Sequence, residues 1–192
     1  SMGHLSLALI FTMLTTIVLG MGMPTIPAYL IPAVTLVPPL VEMGANPMAA
    51  HLFIVYFASM SGLTPPVALT SYTAAGLAKA DVWKTSMIAV QIAIAGFTLP
   101  YVFVYNTGLL LNGTLVDILL GFVMCAFGLT AVAACCRGRL FSVLNVPERI
   151  VCLASGILLI DPNYLTSLVG ISLLVIIGVI SWMRSRKLQE AR

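Results

Sequence analysis

Three long apolar runs constrain the fold of this chain more than any other feature. They are residues 85–105, 115–134 and 165–183. Each is about 20 residues long, enough for a helix to cross hydrocarbon roughly 30 Å thick. No water reaches the backbone there, so a spanning segment must pair its own N–H and C=O groups, as a helix does. Because apolar residues make up 60% of the chain and charged residues 8%, we predict an all-α integral membrane protein surrounded by lipid bilayer.

A fourth apolar segment, residues 140–160, has a polar start that contains Asn145, Glu148 and Arg149. We predict that this start is an amphipathic lead-in, which lies in the membrane interface before the chain enters the bilayer. The chain then divides into three parts. Residues 1–84 hold two interrupted apolar segments, residues 85–134 hold two transmembrane helices, and residues 135–192 form a C-terminal helical hairpin with a basic tail.

The positions of lysine and arginine predict the orientation in the membrane. They are Lys79, Lys84, Arg137, Arg139, Arg149, Arg184, Arg186, Lys187 and Arg192. Alternating crossings place all of them on one face, which is the cytoplasmic face by the positive-inside rule. The opposite loops, residues 42–47, 106–114 and 161–164, contain no Lys or Arg. The net charge of +3 therefore reflects topology, with a cytoplasmic C-terminus, and does not indicate a nucleic-acid partner.

The first interrupted segment is residues 5–41. Its interruption, LGMGMPTIP at residues 19–27, has two glycines and two prolines that weaken a helix. Two full crossings with a cytoplasmic turn at residues 20–24 satisfy the topology, and so does a re-entrant hairpin whose tip stops inside the membrane. Residues 5–19 make only about 22 Å of helix, and the turn has no Lys or Arg. We therefore favour the re-entrant hairpin.

The second interrupted segment is residues 48–78, with SMSGLTPPVALT at residues 59–70 in its middle. Pro65 and Pro66 remove two backbone donors and disfavour helical geometry just before them, while Gly62 tolerates any conformation. We predict a helix split in two. The two interruptions resemble each other, with GMPTIPA at residues 22–28 and GLTPPVA at residues 62–68. Independent kinks are also tolerated in membrane helices, so a membrane scaffold or assembly subunit without transport activity is the alternative interpretation.

Hydroxyl groups surround both interruptions, and they are neutral oxygen ligands suited to a monovalent cation. The residues are Thr25, Ser59, Ser61, Thr64, Thr70 and Ser71. A break also exposes carbonyls at the end of one half-helix and N–H groups at the start of the next. Paired broken helices indicate substrate and ion sites in secondary transporters.

The acidic residues and the two histidines lie in loops or at segment ends. Proton-coupled carriers commonly use such groups inside the bilayer, so sodium is the better candidate for the coupling ion. No pair or motif typical of an intramembrane protease is present either. We expect a protein that is not an enzyme.

The motifs GMGMPT at residues 20–25 and TPPVA at residues 64–68 resemble the large membrane subunit of tripartite ATP-independent periplasmic (TRAP) transporters. The resemblance runs over residues 20–81 and is greatest to the fused permeases of the TAXI branch. Residues 96–111 and 148–175 resemble the C-terminal part of the same permeases. Because the apolar pattern is already under way at Leu5, either the chain is the tail of a longer protein or its first residues are not native. The resemblance favours the first alternative, so we expect the C-terminal part of a longer permease.

This resemblance implies a sodium-driven symporter of the elevator type, built from inverted repeats, in the bacterial inner membrane. Such a symporter imports small organic acids delivered by a periplasmic substrate-binding protein. The present chain corresponds to the second repeat. Its further partners are then the first repeat and the small-subunit region of the permease.

The resemblance also implies the site residues. The hairpin tip comprises Gly20, Gly22, Met23, Pro24 and Thr25, and the unwound helix comprises Ser59, Ser61, Gly62, Thr64, Pro65 and Pro66. We expect sodium to bind carbonyl or hydroxyl oxygens of Gly20, Gly22, Met23, Ser59, Ser61 and Gly62. We expect the substrate to contact Thr25, Thr64, Pro65 and Pro66, with half-helices that begin at Thr25 and Thr64 facing its carboxylate. Apart from sodium, no cofactor is expected.

Overall fold

The computed structural model describes residues 2–140, 142–160 and 164–190. Eight α-helices lie within these residues: α1 (Met2–Gly20), α2 (Thr25–Glu42), α3 (Pro47–Met60), α4 (Leu69–Ala78), α5 (Val82–Tyr105), α6 (Leu115–Arg137), α7 (Val146–Ile160) and α8 (Tyr164–Glu190). Short 3-10 turns occupy Ser61–Leu63 and Thr107–Leu110. The described part of the chain contains no strand beyond one isolated bridge between Arg139 and Val143. The prediction of an all-helical protein is confirmed.

Four helices are long and apolar enough to cross a bilayer. They are Thr25–Glu42, Val82–Tyr105, Leu115–Arg137 and Thr166–Arg184. The last three coincide with the apolar runs that predicted transmembrane helices. The four helices leave most of their residues uncovered by protein, as expected for helices in contact with lipid. The protein is therefore a multi-pass membrane protein.

The polar start of the fourth apolar segment is helical only in part, because Glu148 and Arg149 lie in α7 and Asn145 precedes it. Gly138, with φ +64, ends α6 in the left-handed conformation, and the Leu144 N–H donates back to the Gly138 carbonyl at 2.9 Å. Helix α7 begins only at Val146, with Pro147 in its first turn, where a missing N–H costs little. The predicted lead-in is thus non-helical up to Asn145 in the residues described, and its place in the membrane interface stays a prediction.

The chain forms two compact units, residues 1–93 (unit 1) and residues 94–192 (unit 2). In unit 1, helices α1, α2 and α3 pack on one another. Their shared core includes Leu9, Ala28 and Phe57, all with 0% exposure, and the Phe53 and Phe57 rings meet edge to face at 4.8 Å. The predicted division into three parts at residues 84 and 134 stays a prediction.

In unit 2, helices α6, α7 and α8 pack closely through small residues. A Cβ on Gly156 would lie 2.8 Å from the Val132 side chain, and one on Gly170 would lie 2.9 Å from Leu159. Glycines at these positions let the helix backbones approach, which is a common packing mode in membranes.

One end of unit 2 is basic, as the distribution of Lys and Arg predicts. Arg184 of α8 pairs with Glu148 of α7 at 2.7 Å, and the Arg149 guanidinium lies against Gly138 at the end of α6. At the start of α6, Thr114 and Asp117 form a capping box, so the Asp117 carboxylate has a structural role at this helix N-terminus. The third loop predicted to be on the outer face, residues 161–164, lies largely outside the described residues.

Candidate functional site

The first interruption forms the tip of a helical hairpin between α1 and α2. Helix α1 ends at Gly20, whose carbonyl accepts the Met23 N–H at 3.2 Å. Gly22 takes φ +79, a conformation that favours glycine. Helix α2 begins at Thr25, and no side chain among the described residues caps it. A helix therefore begins at Thr25, while the prediction that it is a half-helix stays a prediction.

The second interruption separates α3 from α4 over residues 61–68, which confirms the predicted split helix. After the 3-10 turn, Thr64 is extended, with φ −89 and ψ 124. Helix α4 begins at Leu69, so the prediction that a half-helix begins at Thr64 is wrong. The reason is steric, because a residue that precedes proline avoids helical geometry. Thr64 precedes Pro65, and Pro65 precedes Pro66, so the helix resumes only beyond both prolines.

Hydroxyl groups of α4 close the break by donating hydrogen bonds to its carbonyls. Thr70 Oγ1 donates to the Gly62 carbonyl at 2.7 Å, Ser71 Oγ to the Leu63 carbonyl at 3.5 Å, and Tyr72 Oη to the Pro66 carbonyl. A carbonyl oxygen has a second lone pair, and a donating hydroxyl keeps its own acceptor capacity. The break is therefore an ordered, neutral and oxygen-rich turn. The sequence analysis named Thr70 and Ser71 but missed Tyr72. Its position in the first turn after the two prolines could have indicated that its hydroxyl reaches back to the break.

The end of α3 is held by further hydroxyl bonds. Thr64 Oγ1 donates to the Met60 carbonyl at 2.9 Å, and Ser61 Oγ donates to the Ala58 carbonyl at 2.7 Å. Ser61 is 1% exposed, so its hydroxyl lies inside unit 1.

The hairpin tip packs directly on the break. A Cβ added to Gly20 would lie 2.6 Å from Ser61 Oγ and 3.5 Å from the Ala28 Cβ. A Cβ added to Gly22 would lie 3.6 Å from the Val67 side chain. The two interruptions, about forty residues apart in sequence, thus form one junction in unit 1. We call this region, Gly20 to Ala28 with Ser61 to Leu69, the tip–break junction.

The junction does not bring every predicted side chain together. Ser59 is exposed, and its hydroxyl donates to the Val55 carbonyl at 3.0 Å. Two residues correspond to about 200° around a helix, so the Ser59 and Ser61 side chains lie on opposite sides of the end of α3. Thr25 and Pro66 are exposed, while Met23 and Gly62 are half-buried. Of the predicted residues, Gly20 and Ser61 form the buried centre.

The electrostatics of the junction come from helix ends. The C-terminal ends of α1 and α3 meet where Gly20 contacts Ser61, and each carries a partial negative charge. No group of three or more His, Cys, Asp or Glu side chains suited to a metal occurs among the described residues. A cation held at the junction would therefore depend on carbonyl and hydroxyl oxygens.

Unit 2 has a polar hollow of its own, which sequence reasoning did not identify. It has a volume of about 260 Å³ and is lined in part by Asn106, Thr107, Asp117 and Ser167. Thr114 Oγ1 donates to Asp117 Oδ2 at 2.6 Å, so this carboxylate already serves the helix cap. The concentration of polar residues between 106 and 117 was the available signal.

These features together define a class of protein. Broken helices in contact within a multi-pass, all-helical chain are typical of the membrane components of secondary transporters. The family model of the tripartite ATP-independent periplasmic transporter, DctM component, matches residues 1–118. The chain belongs to this family, which is a transporter component and not an enzyme. The match covers all of unit 1 and ends in the first turn of α6. No curated protein and no solved structure matches the chain.

Proposed function

We propose that this chain is part of a sodium-driven TRAP symporter of the TAXI branch that imports small organic acids. In this proposal a periplasmic substrate-binding protein delivers the acid, and the first repeat and small-subunit region complete the permease. The protein lies in the bacterial inner membrane with a cytoplasmic C-terminus, and α1 and α2 form a re-entrant hairpin. One observation carries the proposal, which is the direct contact between Gly20 at the hairpin tip and Ser61 in the break.

The cation site follows from the helix ends that converge at this contact. The last carbonyls of α1 and α3 lack partners in their own helices and carry partial negative charge. In our proposal, sodium binds oxygens of Gly20, Gly22, Met23, Ser61 and Gly62. Ser59 contributes its carbonyl rather than its hydroxyl, because its side chain is exposed on the opposite side of α3.

The substrate site follows from the two helix starts at the same junction. Helix α2 begins at Thr25 and α4 at Leu69, and neither has a side-chain cap among the described residues. Uncapped N–H groups and the positive end of the helix dipole favour an anion. We propose that the substrate carboxylate lies near these two starts, with Thr64, Pro65 and Pro66 forming the wall between them.

Sodium-dependent thermal stability of the intact membrane component tests the proposal. Sodium at about 100 times its dissociation constant should stabilise the protein by about 2.7 kcal/mol, while potassium at equal ionic strength should not. Ser61→Ala should weaken this sodium effect by removing a ligand, and Thr64→Ala should weaken it indirectly, because the Thr64 hydroxyl holds the Met60 carbonyl at the end of α3. Ser59→Ala is the matched control, since it removes an exposed hydroxyl and leaves the carbonyl in place.

The alternative, a scaffold whose breaks are packing kinks, predicts a different outcome. The hydrogen bonds that close the break from Thr70 and Tyr72 are what a purely structural kink also needs. If sodium and potassium stabilise the wild-type protein equally, the symporter proposal is wrong and the scaffold is favoured.

A further inference from the structure

We propose that the Thr16 hydroxyl is a further oxygen ligand of the cation at the tip–break junction, an inference that rests on the function proposed above. Thr16 lies in α1 with 0% exposure. Within the described part of the chain, Thr16 Oγ1 is a buried side-chain oxygen for which no hydrogen-bond partner is found. A buried polar atom in this state costs free energy unless something binds it.

A buried helical hydroxyl elsewhere in unit 1 avoids that cost by donating to the carbonyl four residues earlier. Ser86, with 0% exposure, donates from Oγ to the Val82 carbonyl at 2.8 Å. Thr16 Oγ1 makes no such bond, although it too is inside a helix. Its oxygen is therefore available to a group that approaches from the packed side of α1.

The position of Thr16 connects it to the junction. Residues on the covered side of α1 recur at helical spacing, and Leu5, Leu9, Thr12, Thr16 and Gly20 are all buried. This buried row is apolar at its start and carries hydroxyl groups as it nears the tip. Thr16 precedes Gly20 by four residues, which is about one turn and a rise of about 6 Å along the helix axis, so the two positions lie on the same face of α1. Gly20 in turn contacts Ser61.

The chemistry of this position favours a monovalent cation. A threonine hydroxyl offers lone pairs without charge, and the converging C-terminal ends of α1 and α3 supply partial negative charge beside it. Packing alone needs no oxygen here, because an apolar side chain, Leu9, occupies the same row about two turns earlier with 0% exposure.

The test is the sodium titration of thermal stability described above, applied to four variants of the intact membrane component. Thr16→Val keeps the shape and removes the oxygen, and Thr16→Ala is a second oxygen-free variant in case valine packs poorly. Thr16→Ser keeps the oxygen. Thr15→Val is the matched control, because Thr15 is the exposed neighbour on the same helix.

We expect Thr16→Val and Thr16→Ala to raise the sodium concentration for half-maximal stabilisation by about tenfold or more, the loss typical of a bond to a charged group. Thr16→Ser should change it by less than about threefold, and Thr15→Val should leave it unchanged. If the wild-type protein responds to sodium and both oxygen-free variants respond at the same concentration, the hydroxyl is not a ligand and only this inference fails. If the wild-type protein does not respond to sodium, the proposed function fails, and this inference with it.

Discussion

At the scale of single residues, Gly20 explains why the hairpin tip can reach the break. It is the last residue of α1, and Ser61 occupies the space where any other residue would place its Cβ. The requirement for glycine is therefore close approach, since Gly20 is not among the residues with positive φ. A Cβ contact under 3.0 Å forces a shift in one of the two segments.

Gly20→Ala should destabilise unit 1 by about 1–3 kcal/mol, the usual cost of overpacking a well-filled site. Gly76→Ala is the matched control, because a Cβ there meets nothing within 4 Å. In a helix that substitution should stabilise by about 0.5–1 kcal/mol. Thermal unfolding of the intact protein measures both. The double variant Gly20→Ala/Ser61→Gly should recover part of the loss, and a Gly20→Ala variant as stable as wild type would mean that the tip and break do not touch.

At the scale of elements, a salt bridge between Glu148 and Arg184 joins the start of α7 to the last part of α8. Arg184 donates to Glu148 Oε1 at 2.7 Å and to Oε2 at 3.3 Å, and the Asn145 N–H donates to Oε2 at 2.7 Å. The hydrogen bond from Arg184, followed by the one from Asn145, holds the pKa of the Glu148 carboxyl below its ordinary value. Hydrophobic patterning finds both helices but does not show that residues 36 positions apart form this pair.

The salt bridge between Glu148 and Arg184 predicts that the stability of the protein depends on pH. A carboxyl whose pKa is lowered on folding stabilises the protein above its unfolded-state pKa, and this contribution disappears as the pH falls through the folded-state value. The difference in melting temperature between wild type and Glu148→Gln should therefore shrink as the pH is lowered from about 5 to about 3. Because Arg184 is 37% exposed, added salt should also reduce the difference.

Glu42→Gln serves as the control for this measurement. It removes an exposed carboxylate for which no ion pair is found among the described residues. A difference between wild type and Glu148→Gln that is constant from neutral to acidic pH would contradict the proposed role of the pair.

At the scale of the whole molecule, the membrane orientation is a prediction from charge. Within unit 2, the basic residues near Gly138, Glu148 and Arg184 lie at one end of the helices. The loop that contains Asn112, without Lys or Arg, connects the other ends of α5 and α6. Lys and Arg remain on the cytoplasmic side during insertion, so the two ends should face different compartments.

Cysteine labelling tests this orientation with two asparagines that are both exposed. In a background with Cys135 and Cys136 replaced by serine, Asn112→Cys should react with a membrane-impermeant maleimide added from the periplasmic side. Asn145→Cys should react only after the membrane is opened. The reverse pattern would show that the basic end of unit 2 faces the periplasm.

The sequence by itself determined three of the four helices that are long enough to cross a membrane, and the positions of both interruptions. The hydropathy of a segment and the effects of proline and glycine depend on only a few neighbouring residues. The local sequence is therefore enough to predict them. The same local rules, applied to two successive prolines, could have placed the start of α4 beyond Pro66 instead of at Thr64. The non-helical backbone at residues 138–140 and 142–145 was missed because a polar composition suits an interfacial helix equally well.

Only the tertiary structure decided which residues of the two interruptions meet. The contact between Gly20 and Ser61, the separation of Ser59 from Ser61, and the burial of the Thr16 hydroxyl all depend on which side of each helix is covered. That choice is made by packing among α1, α2 and α3, whose residues are far apart in sequence and nearly uniform in hydrophobicity. When every face of a helix is apolar, the sequence pattern does not show which face packs against protein and which faces lipid.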